Sequence, residues 1–409
     1  MMAISNFIFR LEEYRNLVDD REISEIYRRA RRHYGKNILH INSTYQGGGV
    51  AEILNSLVPL MNASGICTDW RILHGTPDFF GITKKFHNAL QGGSIRLSDM
   101  KKKIYVQTNS KMALFTQIFH NCVIIHDPQP IPIVCFYPKN QPWIWHCHLD
   151  LSNPDMTLWE YIKSFILRYD CVVLSSESYL RNDLPIEQRI IFSAIDPLAP
   201  KNQDIPNQLI EKMFQKFKIP TDLPYILQVS RFDRWKDPEG VLEVWKKVRS
   251  EIDCRLVLCG SMAADDPEGW AIYERLRRRS KEWLESGDVI LITTENNILV
   301  NALQRMASVV VQKSLREGFG LTVTEAMWKG KPVVASNVGG IRIQIEDGVN
   351  GFLVDPSDND RFAQRIIQIL RDKDLGRFLG ENARKSVKEK FLITRFIADY
   401  LSLLDEIWN

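Results

Sequence analysis

The sequence predicts an α/β fold of two doubly wound domains, each with a parallel sheet covered by helices on both faces. From residue 37 onward, short apolar runs alternate with longer amphipathic segments, which is the pattern of repeated βαβ units. The alternation breaks between Asp196 and Pro224, where five prolines flank one helical stretch. Prolines interrupt helices and cannot donate within a sheet, so this break predicts the domain boundary. The length of 409 residues agrees, because a single core stops growing at about 250 to 300 residues.

The apolar runs are predicted as strands because they are short, rich in valine and isoleucine, and bounded by turn-forming residues. They lie at 37–42, 69–73, 121–127, 143–147, 171–176 and 189–194 in the first domain, and at 225–230, 254–260, 289–293, 308–312 and 332–336 in the second. The intervening segments carry apolar residues at helical spacing. They predict helices at 50–64, 98–118, 157–168, 207–217, 238–249, 268–285, 298–306, 320–329, 358–371, 375–389 and 393–407.

The proposed domain limits follow from these elements. Residues 1–200 are assigned to the first domain and residues 201–391 to the second. A charged stretch at 6–35 has helical periodicity and precedes the first strand. Residues 1–35 are therefore predicted to be a helical arm that either packs on the first domain or forms a homodimer contact.

The composition is that of an ordinary globular chain. Lys and Arg number 53 against 50 Asp and Glu, a formal charge of +3, which excludes a strongly basic nucleic-acid binder. The seven cysteines form no C-x-x-C pair and predict free thiols in a reducing compartment. We find no signal-peptide pattern and no run of 18 apolar residues. These observations predict a cytoplasmic protein without a membrane partner.

Three loops that follow predicted strands carry candidate binding residues, since ligands of doubly wound sheets bind at the carboxyl ends of the strands. The first loop, NSTYQGGGV at 42–50, follows the strand at 37–42 and opens a helix. Gly48 and Gly49 would let the backbone approach a ligand, and the helix start favours an anion or a sugar hydroxyl. A tight turn is the alternative. The motif is not G-x-G-x-x-G, which argues against a dinucleotide-binding enzyme.

The second loop, SRFDRWKDP at 230–238, follows the strand at 225–230. Arg231 and Lys236 are two cations at the mouth of a parallel strand, where they could neutralise a diphosphate without a metal ion. Asp237 and Pro238 are a predicted N-cap and first residue of the next helix. Arg234 is expected to face solvent or to pair with an acid. Ordinary surface charge is the alternative for the whole loop.

The third loop, SLREGFGLTVTEAM at 314–327, follows the strand at 308–312. Gly318 and Gly320 bring the backbone N–H groups of residues 319–322 to a helix start, which forms an anion cradle. Glu317 precedes that helix and Glu325 lies in its early turns. Two carboxylates could be an acid and base for hydrolysis. They could also accept hydrogen bonds from sugar or ribose hydroxyls, or belong to a capped helix with a buried Glu.

His146 and His148 lie on one face of a predicted strand beside Cys147 and are a possible metal site. No acidic or His partner at ligand spacing is visible in the sequence, so no metal site is assigned. The HDPQP turn at 126–130 is either an acceptor contact or a proline-stiffened loop. The triplet at 358–360 matches D-x-D formally but is predicted to cap a helix.

These motifs resemble glycosyltransferase family 4. The E-x7-E spacing of EGFGLTVTEAM and the upstream R-x4-K loop carry the resemblance, which implies the GT-B architecture of two facing doubly wound domains. Further phrases are similar to the trehalose glycosyltransferring synthases and trehalose phosphorylases of that family: STYQGGGVAEILNSLVPLM, TKKFHNALQG, HDPQP, WHCHLDLS and AIDPLAPKN. The resemblance also implies that the last helix, 392–409, packs back on the first domain.

The resemblance implies roles for individual residues. Catalytic roles fall on His148, Glu317, Arg231 and Lys236. The co-substrate would be bound by the two cations through its diphosphate, by Glu325 through ribose hydroxyls, and by Gly48 and Gly49 from the opposing domain. Glucose and the β-phosphate would contact Glu317 and the backbone of Gly318, Phe319, Gly320, Leu321 and Thr322. One residue departs from the family: His146 stands where Arg is expected.

The function implied is a retaining hexosyltransferase that moves glucose from a nucleotide-diphosphate glucose, UDP- or ADP-glucose, to glucose and forms α,α-trehalose reversibly. The nucleotide sugar and the acceptor sugar are its small-molecule partners, and no metal or other cofactor is required. A trehalose phosphorylase that uses phosphate is the first alternative. A different acceptor, a dinucleotide-dependent oxidoreductase or epimerase, and a non-catalytic sugar-binding protein remain open.

Overall fold

The computed structural model describes residues 10–260 and 267–408. It divides into two compact units, which we call unit 1 (residues 1–194 and 392–409) and unit 2 (residues 195–391). The first nine residues of the predicted helical arm, 1–35, lie outside the described residues. No helix among the described residues is both long and apolar enough to cross a membrane.

Unit 1 contains a six-stranded sheet in the order β2-β1-β3-β4-β5-β6, and every pairing is parallel. Its strands are β1 Asn37–Asn42, β2 Cys67–Ile72, β3 Cys122–His126, β4 Trp143–Cys147, β5 Cys171–Leu174 and β6 Glu187–Ile190. Its helices before the domain boundary are α1 Asp20–Ala30, α2 Gly49–Ala63, α3 Pro77–Leu90, α4 Asp99–Phe115 and α5 Met156–Ile166. The central strands β3, β4 and β5 are buried along their whole length, as expected for a sheet covered on both faces.

Unit 2 repeats this architecture with a parallel sheet in the order β12-β11-β10-β7-β8-β9. Its strands are β7 Tyr225–Val229, β8 Arg255–Cys259, β9 Val289–Ile292, β10 Val309–Gln312, β11 Val333–Ser336 and β12 Phe352–Val354. Its helices are α6 Asn207–Lys216, α7 Pro238–Arg249, α8 Pro267–Arg279, α9 Lys281–Ser286, α10 Asn297–Met306, α11 Leu321–Trp328, α12 Ile341–Gln344, α13 Asn359–Arg371 and α14 Lys373–Lys390. The predicted class of two doubly wound α/β domains is confirmed.

The last helix, α15 Ile393–Trp408, belongs to unit 1 although the whole of unit 2 precedes it in the chain. It packs against α1 and α2, so the charged arm lies on unit 1 rather than standing free. Asp405 of α15 accepts from Arg32 at 3.2 Å, and its other carboxylate oxygen lies 2.9 Å from His33 Nε2. The buried face of α15 includes Phe396 and Tyr400.

Four elements differ from the sequence prediction, and one of them is helix α12, whose four residues are too few to show helical periodicity. Helix α3 was not predicted, although Thr76 caps it through the Phe79 N–H and Pro77 begins it. The predicted helix at 268–285 is two helices, because the chain turns at Ser280, whose hydroxyl donates to the Leu276 carbonyl at 2.7 Å. Strand β12 was also missed, since it has only three residues.

Both sheets have a topological switch point, where the chain changes the direction in which it adds strands. In unit 1 the switch lies between β1 and β3, and in unit 2 it lies between β7 and β10. The loops that follow these four strands open a crevice at the carboxyl edge of the sheet, the usual ligand position in this fold. All three candidate binding loops follow one of these strands.

Candidate active site

Two candidate loops meet at the unit 2 switch point. Residues 230–237 follow β7 and residues 313–320 follow β10, its neighbour in the sheet. The backbone N–H of Leu315 donates to the carbonyl of Trp235 at 2.7 Å, which ties the loops together. The structure therefore brings together the R-x4-K and E-x7-E motifs, which are about 80 residues apart in the sequence.

Lys236 is held in place by the local structure of its loop. A single 3-10 turn spans Arg234–Lys236 and is capped by Asp233, which accepts from the Trp235 N–H at 2.8 Å. Asp237 then adopts a left-handed conformation with φ 43° and caps α7 by accepting from the Gly240 N–H at 3.0 Å. The predicted N-cap role of Asp237 is confirmed.

The Lys236 ammonium contacts the Glu317 carboxylate directly, with Nζ and Oε2 2.5 Å apart. The same oxygen accepts from the Ser314 hydroxyl at 3.0 Å. Glu317 is only 7% exposed, and its carbonyl accepts from the Gly340 N–H at 3.1 Å. A cation and a carboxylate that share one partly buried position can bind a phosphate oxygen and a sugar hydroxyl side by side.

Arg231 is the more accessible of the two predicted cations. Its side chain is 40% exposed, and Nη2 lies 3.4 Å from the buried Asp233 carboxylate. Arg234 is not one of these two cations. Its guanidinium lies 3.7 Å from Glu268 and stacks on the Trp235 ring, in agreement with its expected pairing with an acid.

The anion cradle lies at the start of α11. Gly320 is its N-cap residue with φ 93°, a conformation that side-chain-bearing residues rarely adopt. Gly340 lies against the same loop: a Cβ atom there would come within 2.4 Å of the Gly318 carbonyl oxygen. The first turn of a helix leaves backbone N–H groups without helical partners, so residues Gly318, Phe319, Gly320, Leu321 and Thr322 form a turn that can accept an anion.

Glu325 is almost fully buried, with 1% of its side chain exposed, whereas a residue that binds ribose at the surface would be more accessible. Lys201 lies 3.4 Å from one carboxylate oxygen, and Gln304 lies 3.4 Å from the other. Lys329 donates to the Glu325 carbonyl and to the Gln304 side chain, and burial lowers the pKa of Lys329 to about 7. Glu325 is therefore a buried carboxylate with polar partners inside unit 2, and ribose binding by Glu325 stays a prediction.

Lys313 is a site residue that the sequence analysis missed. It is 3% exposed, and its ammonium lies 2.5 Å from Asp237 and 2.8 Å from the Pro356 carbonyl. It follows β10 directly and reaches across to the loop after β7, so it fixes both candidate loops. Its position immediately after an apolar strand is the sequence signal that could have found it.

The D-x-D triplet is part of a helix start, as predicted. Asp358 accepts from the Arg361 N–H at 2.8 Å and caps α13, while Asp360 pairs with Lys247 at 2.7 Å. Both carboxylates therefore have structural partners.

The glycine-rich loop lies at the unit 1 switch point, after β1. Gly47 has φ 78°, Gly48 is an extended N-cap residue, and α2 begins at Gly49. A Cβ atom on Gly48 would meet nothing within 4 Å. Packing inside unit 1 therefore does not require glycine at position 48. This favours the hypothesis that the backbone is left open for a ligand over the alternative of a tight turn.

Four histidines converge at the same switch point. The β3–β4 register pairs His126 with His146. His40 on β1 is paired with Ile124, two residues before His126, and its ring contacts that of His126. His126 lies 2.9 Å from His40 Nδ1 through its Nε2 atom and 3.0 Å from His148 Nε2 through its Nδ1 atom. The ring of His146 stacks on that of His148 with centroids 3.9 Å apart. The statement that His146 and His148 lack a His partner is therefore wrong, because strand pairing supplies His126.

Burial keeps these imidazoles neutral. It lowers the pKa of His40 and of His148 to about 3, and it lowers the pKa of His126 and of His146 well below the ordinary range. His148 is half-buried, whereas the other three are almost fully buried. A neutral imidazole both donates and accepts, so this crevice suits hydroxyl groups better than phosphates.

Asp127 connects the HDPQP turn to His148. It has a left-handed backbone with φ 59°, and its carboxylate accepts from the His148 N–H at 2.9 Å. Burial raises the pKa of Asp127 to about 7. Tyr105 and Asn109 also donate to the carbonyls of Pro128 and Gln129, so α4 holds the turn as a rigid platform.

Comparison with known proteins assigns the family. Residues 40–181 match the description "Trehalose synthase, N-terminal domain", and residues 210–386 match "Glycosyl transferases group 1". The trehalose synthase of Thermococcus litoralis is 44% identical over 400 residues, which cover 97% of each chain. The chain belongs to the trehalose synthase family of glycosyltransferases. It is therefore a hexosyltransferase enzyme, and more narrowly a trehalose-related glucosyltransferase.

Two further comparisons give a more distant relative and a solved structure of the same fold. A trehalose phosphorylase of Pleurotus pulmonarius is 28% identical over 432 residues, which cover 93% of this chain and 58% of the phosphorylase. The solved structure titled "Trehalose-6-phosphate from E. coli bound with UDP-2-fluoro glucose" has a TM-score of 0.72 at 14% identity and covers 91% of this chain and 99% of that one. The predicted GT-B architecture is thus confirmed by its structural neighbours.

Proposed function

We propose that this enzyme transfers glucose from a nucleotide-diphosphate glucose to free glucose and forms α,α-trehalose with retention of configuration, in a reversible reaction. The observation that carries the proposal is the unit 2 switch point, where the loop with Arg231 and Lys236 is hydrogen-bonded to the loop that leads into α11. Two cations and a helix N-terminus are a complete site for a diphosphate. The E. coli neighbour, whose title names UDP-2-fluoro glucose, supports a nucleotide-sugar donor.

In this proposal, unit 2 binds the donor and stabilises its departure. Negative charge develops on the β-phosphate as the glucosyl bond breaks, and Lys236 and the α11 turn are preorganised to receive it. Glu317 would exchange its Lys236 contact for a glucose hydroxyl when the phosphate takes the ammonium. Because fixed cations supply the positive charge, we expect turnover without a metal ion or another cofactor.

Unit 1 would bind the acceptor. His148 is half-buried among neutral imidazoles, and the adjacent HDPQP turn is held rigidly by α4. Sugar hydroxyls need donors and acceptors of this uncharged kind. The leaving phosphate oxygen would take the acceptor proton, which is the front-side route expected for a retaining enzyme without a carboxylate nucleophile. Gly48 and Gly49 would add backbone contacts.

The test is a product analysis. The enzyme is incubated with glucose and a panel of UDP-, ADP- and other nucleotide-diphosphate glucoses, and the disaccharide and its anomeric configuration are identified. We expect α,α-trehalose from at least one donor and the reverse reaction from trehalose and nucleoside diphosphate. A different disaccharide, or an inverted linkage, would contradict the proposal.

Trehalose phosphorolysis is the second candidate, supported by the phosphorylase relative. Inorganic phosphate could use the same two cations. Release of glucose 1-phosphate from trehalose that requires phosphate and no nucleotide would favour this candidate over the first.

A further inference from the structure

Three histidines at the carboxyl edge of the unit 1 sheet are close enough to share one ligand. One ring nitrogen each from His126, His146 and His148 lies within 4.8 Å of the others. Strand pairing brings His126 to the other two, which share β4 and its end. We infer that these three imidazoles form a binding site for a divalent transition-metal ion of the Zn²⁺ class. The site belongs to unit 1, and its test does not depend on the proposed reaction.

The chemistry of the imidazoles suits a metal. A metal ion binds the lone pair of a neutral ring nitrogen, which a protonated imidazolium lacks. His126, His146 and His148 each offer one ring nitrogen within 4.8 Å of the others. An all-imidazole site favours Zn²⁺, Cu²⁺ or Ni²⁺ over Mg²⁺ or Ca²⁺, which prefer oxygen ligands.

The spacing is near what tetrahedral zinc requires. Zn–N bonds of about 2.0 to 2.1 Å place two ligand nitrogens about 3.3 Å apart. The nitrogens of His126 and His148 are 3.0 Å apart, so a small separation suffices. The third nitrogen must move closer from its limit of 4.8 Å. Because the His146 and His148 rings now stack with centroids 3.9 Å apart, the half-buried His148 ring must also turn until both lone pairs point at the ion, while His146 keeps its contact with Tyr400.

The outer nitrogens already have partners that would orient the rings. His146 contacts the Tyr400 hydroxyl through Nδ1, and its Nε2 atom has no hydrogen-bond partner among the described residues. His126 contacts His40 Nδ1 through its outer Nε2. Hydrogen bonds on the second ring nitrogen are what fixes metal-binding histidines elsewhere.

Protons balance without any release from the site. The proton now shared between His126 Nδ1 and His148 Nε2 moves to an outer ring nitrogen, and the metal takes the freed lone pairs. Each imidazole stays neutral and keeps one N–H. Because His148 is half-buried, the ion has a path from solvent, and water completes the fourth position.

The test titrates the full-length, chelator-treated protein with Co²⁺ and with Zn²⁺. We expect one equivalent of Co²⁺ to give the visible absorption of a four-coordinate nitrogen site, and Zn²⁺ to displace it and to raise Tm. His148→Ala should abolish both effects. Tyr400→Phe should weaken affinity by about 10- to 100-fold, because it removes the partner of His146. His74→Ala is the matched control, since His74 is exposed and outside the cluster.

Two results would overturn the inference. One is the absence of stoichiometric binding in the wild-type protein. The other is binding that persists in His148→Ala and disappears in Cys67→Ser, which would assign the metal to the exposed thiol of Cys67. Tm measured without metal establishes that each variant is folded, and a variant that fails this check is replaced by His148→Gln, which must also lose binding.

Discussion

The two switch points share one topology and differ in their chemistry. In unit 1 the crevice is lined by imidazoles that burial keeps uncharged. In unit 2 the corresponding crevice is lined by ion pairs, among them Lys236 with Glu317 and Lys313 with Asp237. The difference teaches that a doubly wound sheet fixes where a ligand binds, while the residues after the strands decide whether it is a polyhydroxyl compound or a phosphate.

The largest expected effect comes from removing a cation of unit 2. Lys236→Ala and Arg231→Ala should each lower kcat/KM for the nucleotide sugar by about 100- to 1,000-fold, the effect of deleting one preorganised electrostatic contact. Steady-state kinetics with both substrates measures this. Arg234→Ala is the matched control from the same loop and should retain activity, because Arg234 pairs with Glu268. Near-normal rates in Lys236→Ala would break the assignment of unit 2 to the diphosphate.

The second effect concerns the buried ion pair of unit 2. Lys313→Met should lower the free energy of unfolding by about 3 kcal/mol, because it leaves Asp237 without its countercharge. Denaturant unfolding measures the change. Lys247→Met is the control, since its pair with Asp360 is exposed and worth at most about 1 kcal/mol. Equal losses in the two variants would show that unit 2 does not depend on its buried charges.

A smaller effect is expected at the cradle. Gly340→Ala places a methyl group against the Gly318 carbonyl and the Phe319 backbone, which should displace the loop and cost about 1 to 3 kcal/mol. Nucleotide affinity, measured by calorimetry, should fall with it. Gly81→Ala, where a methyl group meets nothing within 4 Å, should leave nucleotide affinity unchanged and should not lower stability, because alanine is favoured over glycine inside helix α3. Unchanged nucleotide affinity in Gly340→Ala would separate the cradle from the donor site.

The last prediction tests whether the unit 1 crevice is uncharged. Because burial raises the pKa of Asp127 from its ordinary value of 3.8 to about 7, the folded protein keeps a proton that the unfolded chain releases between about pH 4 and 7. This contribution therefore lowers stability as the pH rises through that window. Asp127→Asn should remove it while the amide oxygen still accepts from His148. Unfolding midpoints from pH 4 to 8 measure the slope.

Asp99→Asn serves as the control for this measurement, because Asp99 is fully exposed at the start of α4. It should keep the wild-type pH dependence. If Asp127→Asn also keeps it, the carboxylate is ionised in the folded protein and the unit 1 crevice carries a charge.

Most of the fold followed from local patterns, because parallel strands in this class are short, apolar and separated by helices. Strands β1 and β4 and helix α7 lie where the sequence predicts them. Helix α3 was missed despite its Thr-Pro start, and β12 is too short to carry a periodic signal. Such elements are stabilised by packing that the local sequence does not record.

Site residues that lie together in one loop could be predicted from the sequence. Contacts that depend on the register between two strands could not. The two unit 2 motifs follow neighbouring strands, so the sheet brings them together as expected. The approach of His126 to His146 depends on the β3–β4 alignment, and the reach of Lys313 to Asp237 depends on a rotamer. Neither alignment nor rotamer has a signature in a single sequence.

Helix α15 has a consequence for biosynthesis. It contributes buried Phe396 and Tyr400 to unit 1, yet the ribosome makes it only after all of unit 2. Residues 195–391 form a continuous unit and can fold as soon as they emerge. Unit 1, though synthesised first, keeps part of its core open until α15 arrives. Unit 1, which contains the neutral crevice, is therefore the last unit that translation completes. A ribosome stalled before residue 392 would expose its unfinished core to chaperones.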